Sequence, residues 1–145
     1  MSDYLPPKID WVRQHVEAYE GSGGTKATTL RDTGLPCIIV THKGGRTGAT
    51  RKIPLMRVKV GDAYVLVGSM GGQPKNPVWV YNLRAHPEVD IRDATVVKPM
   101  VVREISDPEE RTSLWEACVE AFPPYAEYKA KTERVIPVFL AEPKI

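Results

Sequence analysis

Apolar and polar positions follow two different periods along this chain, and the switches between them mark out its elements. Ile9, Val12, Val16 and Tyr19 recur at steps of three and four, which predicts an amphipathic helix over residues 8–20. Pro6-Pro7 precede it and the glycines of 21–24 end it. The pattern then changes to short runs bounded by turn residues. Residues 37–42 read as a strand, 51–60 as a second and longer one, and 63–68 as its return across a tight Gly61-Asp62 turn. Residues 69–74 read as a loop. Asn76-Pro77 reads as a helix start, with Asn76 capping, and Pro87 closes that short helix. Residues 88–92 and 95–104 form a second hairpin across Asp93-Ala94, with Pro99 marking an edge or a bulge in its second strand. Ser106-Asp107-Pro108-Glu109 has the form of a capping box. Leu114, Trp115, Cys118 and Phe122 make the apolar stripe of the helix that it opens. Pro123-Pro124 break that helix, a short helix from Tyr125 to about Lys131 follows, and 135–142 is a last strand.

Six mostly antiparallel strands, joined mainly by hairpins and interrupted by short helices, predict an α+β fold. Its core is a small closed or split β-barrel preceded by an N-terminal helix. Hairpin connections argue against a parallel nucleotide-binding sheet, which needs βαβ crossovers. The division expected is an N-terminal helix and linker over 1–24 and a barrel body over 25–145. The longest apolar runs are about five residues, far short of the roughly 20 of a membrane span. No signal-peptide pattern opens the chain, so it reads as cytoplasmic. Cys37 and Cys118 are far apart and outside any metal spacing, and read as buried thiols.

Charge changes the picture locally. The formal net charge is only +2, yet six Lys or Arg and no Asp or Glu fall between Lys43 and Lys59. Residues 103–128 carry seven acidic and two basic residues. A local patch of this kind suits a specific anion; nucleic-acid binding would want a broadly basic surface and an accompanying RNA-binding signature, and neither is present. The stretch THKGGRTGATRKIPL, residues 41–55, is either a solvated loop between strands or an anion cradle. In the second reading its glycines bring backbone N–H groups close to a phosphate, Arg46 and Arg51 add forked hydrogen bonds, and Thr47 and Thr50 add hydroxyls. A second loop, with Ser69, Gly71 and Gly72, lets a planar ligand lie against backbone, and the helix start at Asn76 is friendly to anions. No GxSxG, Walker motif or metal-ligand spacing among His15, His42 and His86 appears. A bound cofactor is therefore expected to carry any chemistry.

Three motifs recur in order: GRTGxxRxxPL, SxGGxxKNPxWxxNLxAxP and FPPYxxYxxxTxRxIPVxxxEP. Together they resemble the deazaflavin-dependent nitroreductase family, a mycobacterial and actinobacterial group, over nearly everything from Leu35 to Pro143. The resemblance implies a split β-barrel of the FMN-binding type and coenzyme F420, a deazaflavin with a phosphodiester and a glutamate-rich tail. It implies that Gly45, Arg46 and Thr47, then Arg51, Lys52, Ile53, Pro54, Leu55 and Met56, line the phosphate and the deazaflavin. Val67, Gly68, Ser69 and Met70 contact the ring, and Val78, Trp79, Val80, Tyr81 and Asn82 flank it. Tyr125, which also closes over the ring, and Tyr128 bound the substrate side. Met56 stands where the family often has an aromatic residue, and Met70 where it often has Lys; both make the ring pocket softer and less polar.

The activity implied is hydride transfer from reduced deazaflavin to a small hydrophobic, electron-poor acceptor: a quinone, an activated enone or a nitroaromatic. Ser69, Tyr125 and Tyr128 are the candidate catalytic groups, Ser69 or Tyr125 hydrogen-bonding the acceptor oxygen. Two other readings stand beside it: an FMN-binding oxidoreductase of the same barrel, and a lipid- or cofactor-carrier without turnover. The chain is expected as a monomer or homodimer, with its N-terminal helix and Trp11 offering a peripheral contact at the inner face of the cell membrane.

Overall fold

The computed structural model describes residues 4–30, 33–69, 72 and 74–144. In chain order the elements are α1 (Asp10–Gly21), β1 (Cys37–Lys43), β2 (Thr50–Met56), β3 (Lys59–Val60), β4 (Ala63–Val67), α2 (Val78–Ala85), β5 (Glu88–Asp93), β6 (Val96–Glu104), α3 (Pro108–Ala121), α4 (Pro124–Lys131) and β7 (Val138–Pro143). The strands make one sheet in the order β2-β1-β5-β6-β7-β4-β3, and each pairing is antiparallel.

The segment expected as one long strand over 51–60 is instead two, which makes the strand count seven among the described residues. β2 pairs with β1 from Thr50 opposite Lys43 to Met56 opposite Cys37. The chain then leaves β1, and Lys59 pairs with Tyr64 of β4. Between them the Arg57 N–H donates to the Pro36 carbonyl at 3.1 Å, and the Val58 carbonyl accepts from Val65 at 2.8 Å. Arg57 is held at this bend by Asp93, whose two carboxylate oxygens lie 3.0 and 2.9 Å from its Nε. One continuous segment thus bridges both edges of the sheet and curls it into a half-barrel.

Alternation along the strands sorts the side chains into an interior and two covered outer faces. Ile38 and Val40 of β1 face inward with Leu66, Ile91, Met100 and Phe139, and Trp79, Val80 and Leu83 of α2 plug the interior. Cys37 and Ile39 face outward beneath Val16 and Tyr19 of α1. Both faces of β1 are therefore dry, which explains its unbroken apolar run. The Tyr19 hydroxyl fixes α1 on the barrel: it donates to the Cys37 carbonyl at 3.0 Å and accepts the Ala94 N–H at 2.7 Å. Gly24 follows with φ +86°, and a Cβ there would fall 1.8 Å from the Ala94 carbonyl oxygen. On the remaining outer face, Leu114, Cys118 and Tyr125 of α3 and α4 pack on Val65, Val67, Val138 and Leu140. Burial pushes the Cys37 and Cys118 thiols up to about 12, so both stay protonated and inert.

Two caps differ from expectation. Helix α2 begins at Val78 with Pro77 at its cap, and no side chain caps it. Asn76 is unable to do so because Arg134 holds its Oδ1 at 2.8 Å. Helix α3 is capped by Asp107, one residue later than Ser106, its carboxylate accepting the Glu110 N–H at 2.9 Å; Pro108 is then the first helical residue, where its missing N–H costs nothing. The last strand starts three residues late, after Pro137. Pro99 pairs with Asp90 of β5, and its carbonyl accepts the Lys144 N–H at 3.1 Å just past the end of β7, so it closes the β6–β7 pairing without being a free edge.

Candidate cofactor site

The loop of residues 44–49 between β1 and β2 is built by its own hydrogen bonds. Gly44 donates to Ala49 and Gly48 donates back to Gly44, at 2.8 and 2.9 Å. The Ala49 N–H donates to Thr47 Oγ1 at 3.1 Å. The Gly45 N–H donates to Oδ1 of Asn82, a side chain only 6% exposed on α2, at 2.9 Å. The amides of Gly44, Gly45 and Gly48 are therefore paired within the protein, and the backbone N–H groups open to an anion are those between Gly45 and Gly48. The N–H groups of Arg46 and Thr47 are the ones left without a partner among the described residues. A Cβ at Gly45 would make only ordinary contacts, 3.5 Å from both the Asn82 amide oxygen and the Ala85 methyl.

The basic segment likewise divides. Lys52 points from the outer face of β2 toward α1, where Glu20 pairs with it and Tyr4 lies beneath it. Arg57 is neutralised by Asp93. Arg46 is exposed and makes no ion pair among the described residues. Arg51 sits on the inner side of β2, opposite His42 in the β1 register and in line with Ile53 and Leu55 below it. Its Nε is buried and has no hydrogen-bond partner. His42 is 4% exposed, and burial first, then the Arg51 charge, lower it to about 4, although its contact with the Val40 carbonyl opposes this. It is neutral beside the arginine. Lys43 lines a separate cavity and Lys59 is exposed on β3, which leaves Arg46 and Arg51 as the cations of the loop and the inner side of β2.

Along the rest of β2, Ile53 and Leu55 are half-buried at the margin of the interior core, while Pro54 and Met56 face outward. Met56 meets Val65 and Val67 in the core beneath α3 and α4. Beyond β4, Gly68 is pressed so closely on Val80 that a Cβ would be 2.8 Å from its Cγ2. Ser69 is 7% exposed and its hydroxyl has no partner among the described residues. Met70 and Gly71 lie outside the described residues. Gly72, at φ +80°, abuts α4: a Cβ there would lie 2.9 Å from the Tyr128 carbonyl. On α2, Trp79 and Val80 belong to the interior core, Trp79 packing on Phe139 at 5.9 Å. Val78 and Tyr81 are exposed and Asn82 holds the loop. Tyr125 is 5% exposed and packs edge-on to Phe122 and Tyr128, with ring centroids 5.0 and 6.2 Å away. Burial raises its phenol well above the usual range. Tyr128 is half-exposed.

Sequence reasoning quoted Arg134 within the third motif without giving it a role. The structure places its guanidinium on the carbonyls of Gly68 and Ser69 as well as on Asn76. The signal in the sequence was its place in that motif, four residues before the last strand. His15 of α1 turns in toward the linker, with Nε2 at 2.8 Å from the Ala27 carbonyl.

A polyanionic tail with a flat ring fits this mouth: unpaired guanidinium and amide donors stand at one end, and an apolar margin leads from it. A separate cavity of about 240 Å³ is lined by Thr41, Lys43, Glu88, Asp90 and Lys144 among others; its two carboxylates balance its two lysines, Glu88 being paired with Lys144 at 3.0 Å, so it offers no net cationic surface to a polyanionic tail. Residues 11–143 match the family described as F420H(2)-dependent quinone reductase. The chain belongs to that family. An F420H(2)-dependent quinone reductase of Mycobacterium tuberculosis (strain H37Rv) is 33% identical over 137 residues, 90% of this chain and 88% of its relative. A solved F420-H2 dependent reductase, FDR-A, is 45% identical and superposes with a TM-score of 0.70 over 74% of this chain and 94% of its own. A structure described as a domain-swapped dimer is 42% identical, with a TM-score of 0.73 over 92% of this chain and 98% of its own. This member of the F420H(2)-dependent quinone reductase family is accordingly an oxidoreductase of the F420-dependent type on a split-barrel fold.

Proposed function

We propose that the protein reduces a quinone or a similarly electron-poor acceptor with reduced F420, and that Arg46 and Arg51 hold the anionic tail. The observation that carries this is Arg51, an inward-facing cation whose buried Nε lacks a partner, while neighbouring Lys52 and Arg57 are drawn away by Glu20 and Asp93. When bound, the deazaflavin supplies the hydride. The chain supplies position and polarity. Arg46 and Arg51 give forked, charge-assisted bonds to phosphate or carboxylate oxygens, with the Arg46 and Thr47 amides beside them. Asn82 keeps the loop in place through Gly45. Ile53 and Leu55 form an apolar wall beside the ring, and the Ser69 hydroxyl is free to donate to an acceptor oxygen as negative charge develops there. Tyr128, half-exposed beside Gly72, bounds the acceptor side, and Tyr125 backs it from the core.

Among the described residues no helix is long and apolar enough to cross a membrane. Exposed Leu5, Ile9 and Trp11 favour a peripheral contact at the inner membrane face, where lipid-soluble quinones reside. The domain-swapped relative supports assembly as a homodimer. Fluorescence titration with F420 and with FMN tests the cofactor, and menadione with reduced F420 tests turnover. Tight F420 binding, weak FMN binding and menadione-dependent oxidation of the cofactor are expected. Equal affinity for FMN, or binding without turnover, would overturn the reading.

A further inference from the structure

Arg134 lies in the connector between α4 and β7. Its Nη1 donates to the Gly68 carbonyl at 3.0 Å and to Asn76 Oδ1 at 2.8 Å, and its Nη2 donates to the Ser69 carbonyl at 2.6 Å. Gly68 and Ser69 begin the segment from β4 to α2, and Asn76 ends it. One planar cation therefore grips both ends of that segment. The same connector holds Gly68 a second time, because the Gly68 N–H donates to the Pro137 carbonyl at 2.9 Å. Farther along, Gly72 rests on the Tyr128 backbone. The α4–β7 region thus forms the wall on which Ser69 and the start of α2 are set.

We propose that Arg134 is a positioning residue for the ring site: it fixes Ser69 and the α2 start relative to β4, and so affects ring binding and turnover without touching the cofactor. This rests on the F420 reading above. A guanidinium suits the task because its donors diverge in one plane and reach acceptors on both ends of the segment; a lysine ammonium, a compact point charge, reaches fewer of them in that geometry. The role differs from that of Arg46 and Arg51, which face the tail.

The test compares Arg134→Lys, Arg134→Ala, Asn76→Ala and Arg46→Ala, each titrated with F420 and with a ring-only deazaflavin lacking phosphate and glutamates. Menadione kinetics at saturating reduced F420 accompany the titrations. Arg134→Lys should weaken both ligands by a similar factor of about tenfold, the scale of losing one bond to a charged group, and should lower kcat. Arg46→Ala should weaken F420 and spare the ring-only ligand. Asn76→Ala, which removes a single anchor, should move in the direction of Arg134→Lys by a smaller factor, and it keeps the test valid where Arg134→Ala melts too early to assay. Wild-type affinity for both ligands with wild-type kcat in Arg134→Lys would overturn the proposal, as would a loss confined to full-length F420. A wild-type protein that binds neither ligand would instead refute the F420 reading and the proposal with it.

Discussion

Replacing Arg51 by methionine should move affinity and stability in opposite directions. Without ligand, the buried Nε has no partner. A buried donor left unsatisfied costs about 1–3 kcal/mol, so its removal should leave the free protein as stable as before or more so by up to that amount. Methionine keeps the length of the apolar stem that lies above Ile53 and Leu55, so little packing is lost. With ligand, the same change removes a hydrogen bond to a charged group, about 1.5–3 kcal/mol, which corresponds to a dissociation constant weakened roughly 10- to 150-fold. Calorimetric melting of the free protein and fluorescence titration with F420 measure the two quantities independently. A melting point held or raised by a few degrees, alongside a weakened dissociation constant, is the expected pair. A variant that melts several degrees lower and binds F420 normally would show that Arg51 serves the fold, and would refute the assignment.

The dissociation constant for F420 should rise with salt, because Arg46 is exposed and the screening length shrinks to about 3 Å at 1 M; a salt-independent constant would count against an ionic tail site. His42 makes stability fall with acid. Its folded value of about 4 lies below the ordinary 6.5, so the unfolded chain holds more protons between those pH values. The contribution is complete above pH 6.5 and is lost as pH falls toward 4, by roughly 3 kcal/mol. Unfolding curves of wild type and His42→Asn across that window should differ in slope, and parallel curves would refute a buried neutral His42. Gly24→Ala should destabilise by about 2 kcal/mol or more, from a left-handed φ and a direct clash with the Ala94 carbonyl; denaturant melts showing less than about 0.5 kcal/mol would mean the linker relaxes freely.

Periodicity exposed most of the elements. The hairpin of β5 and β6, the helices α1 and α3, and the antiparallel character all follow from spacing and from turn residues. The pattern could not show where a strand changes partners. Residues 51–60 are extended throughout except at Arg57-Val58, and only the distant Asp93, Pro36 and Val65 make the bend visible. The cap at Asn76 went astray for a related reason, since Arg134 takes its side-chain oxygen, whereas at Ser106 the cap lies one residue on, at Asp107. The cradle was legible as a concentration of charge, but not which charges stay open. Glu20 and Asp93, remote in sequence, neutralise Lys52 and Arg57, and Asn82 takes the Gly45 amide. Arg134 was visible as a letter in a motif, and its purpose depends on three carbonyl-type oxygens that sequence does not locate.

Because β2 carries Arg51 near one end and Leu55 near the other on the same inner face, it also works as a gauge. Four steps along an extended strand cover roughly 13 Å, a length that neither breathing of the loop nor rotation of a side chain can alter. The strand is clamped along its length by β1 and anchored past its end through Val58 to β4. Shortening it would flip the alternate side chains and unseat the bend that closes the sheet. Retuning the barrel toward cofactors with shorter or longer tails is therefore a matter for the loop at residues 44–49, which can gain or lose residues at the rim, while the calibrated strand stays as it is.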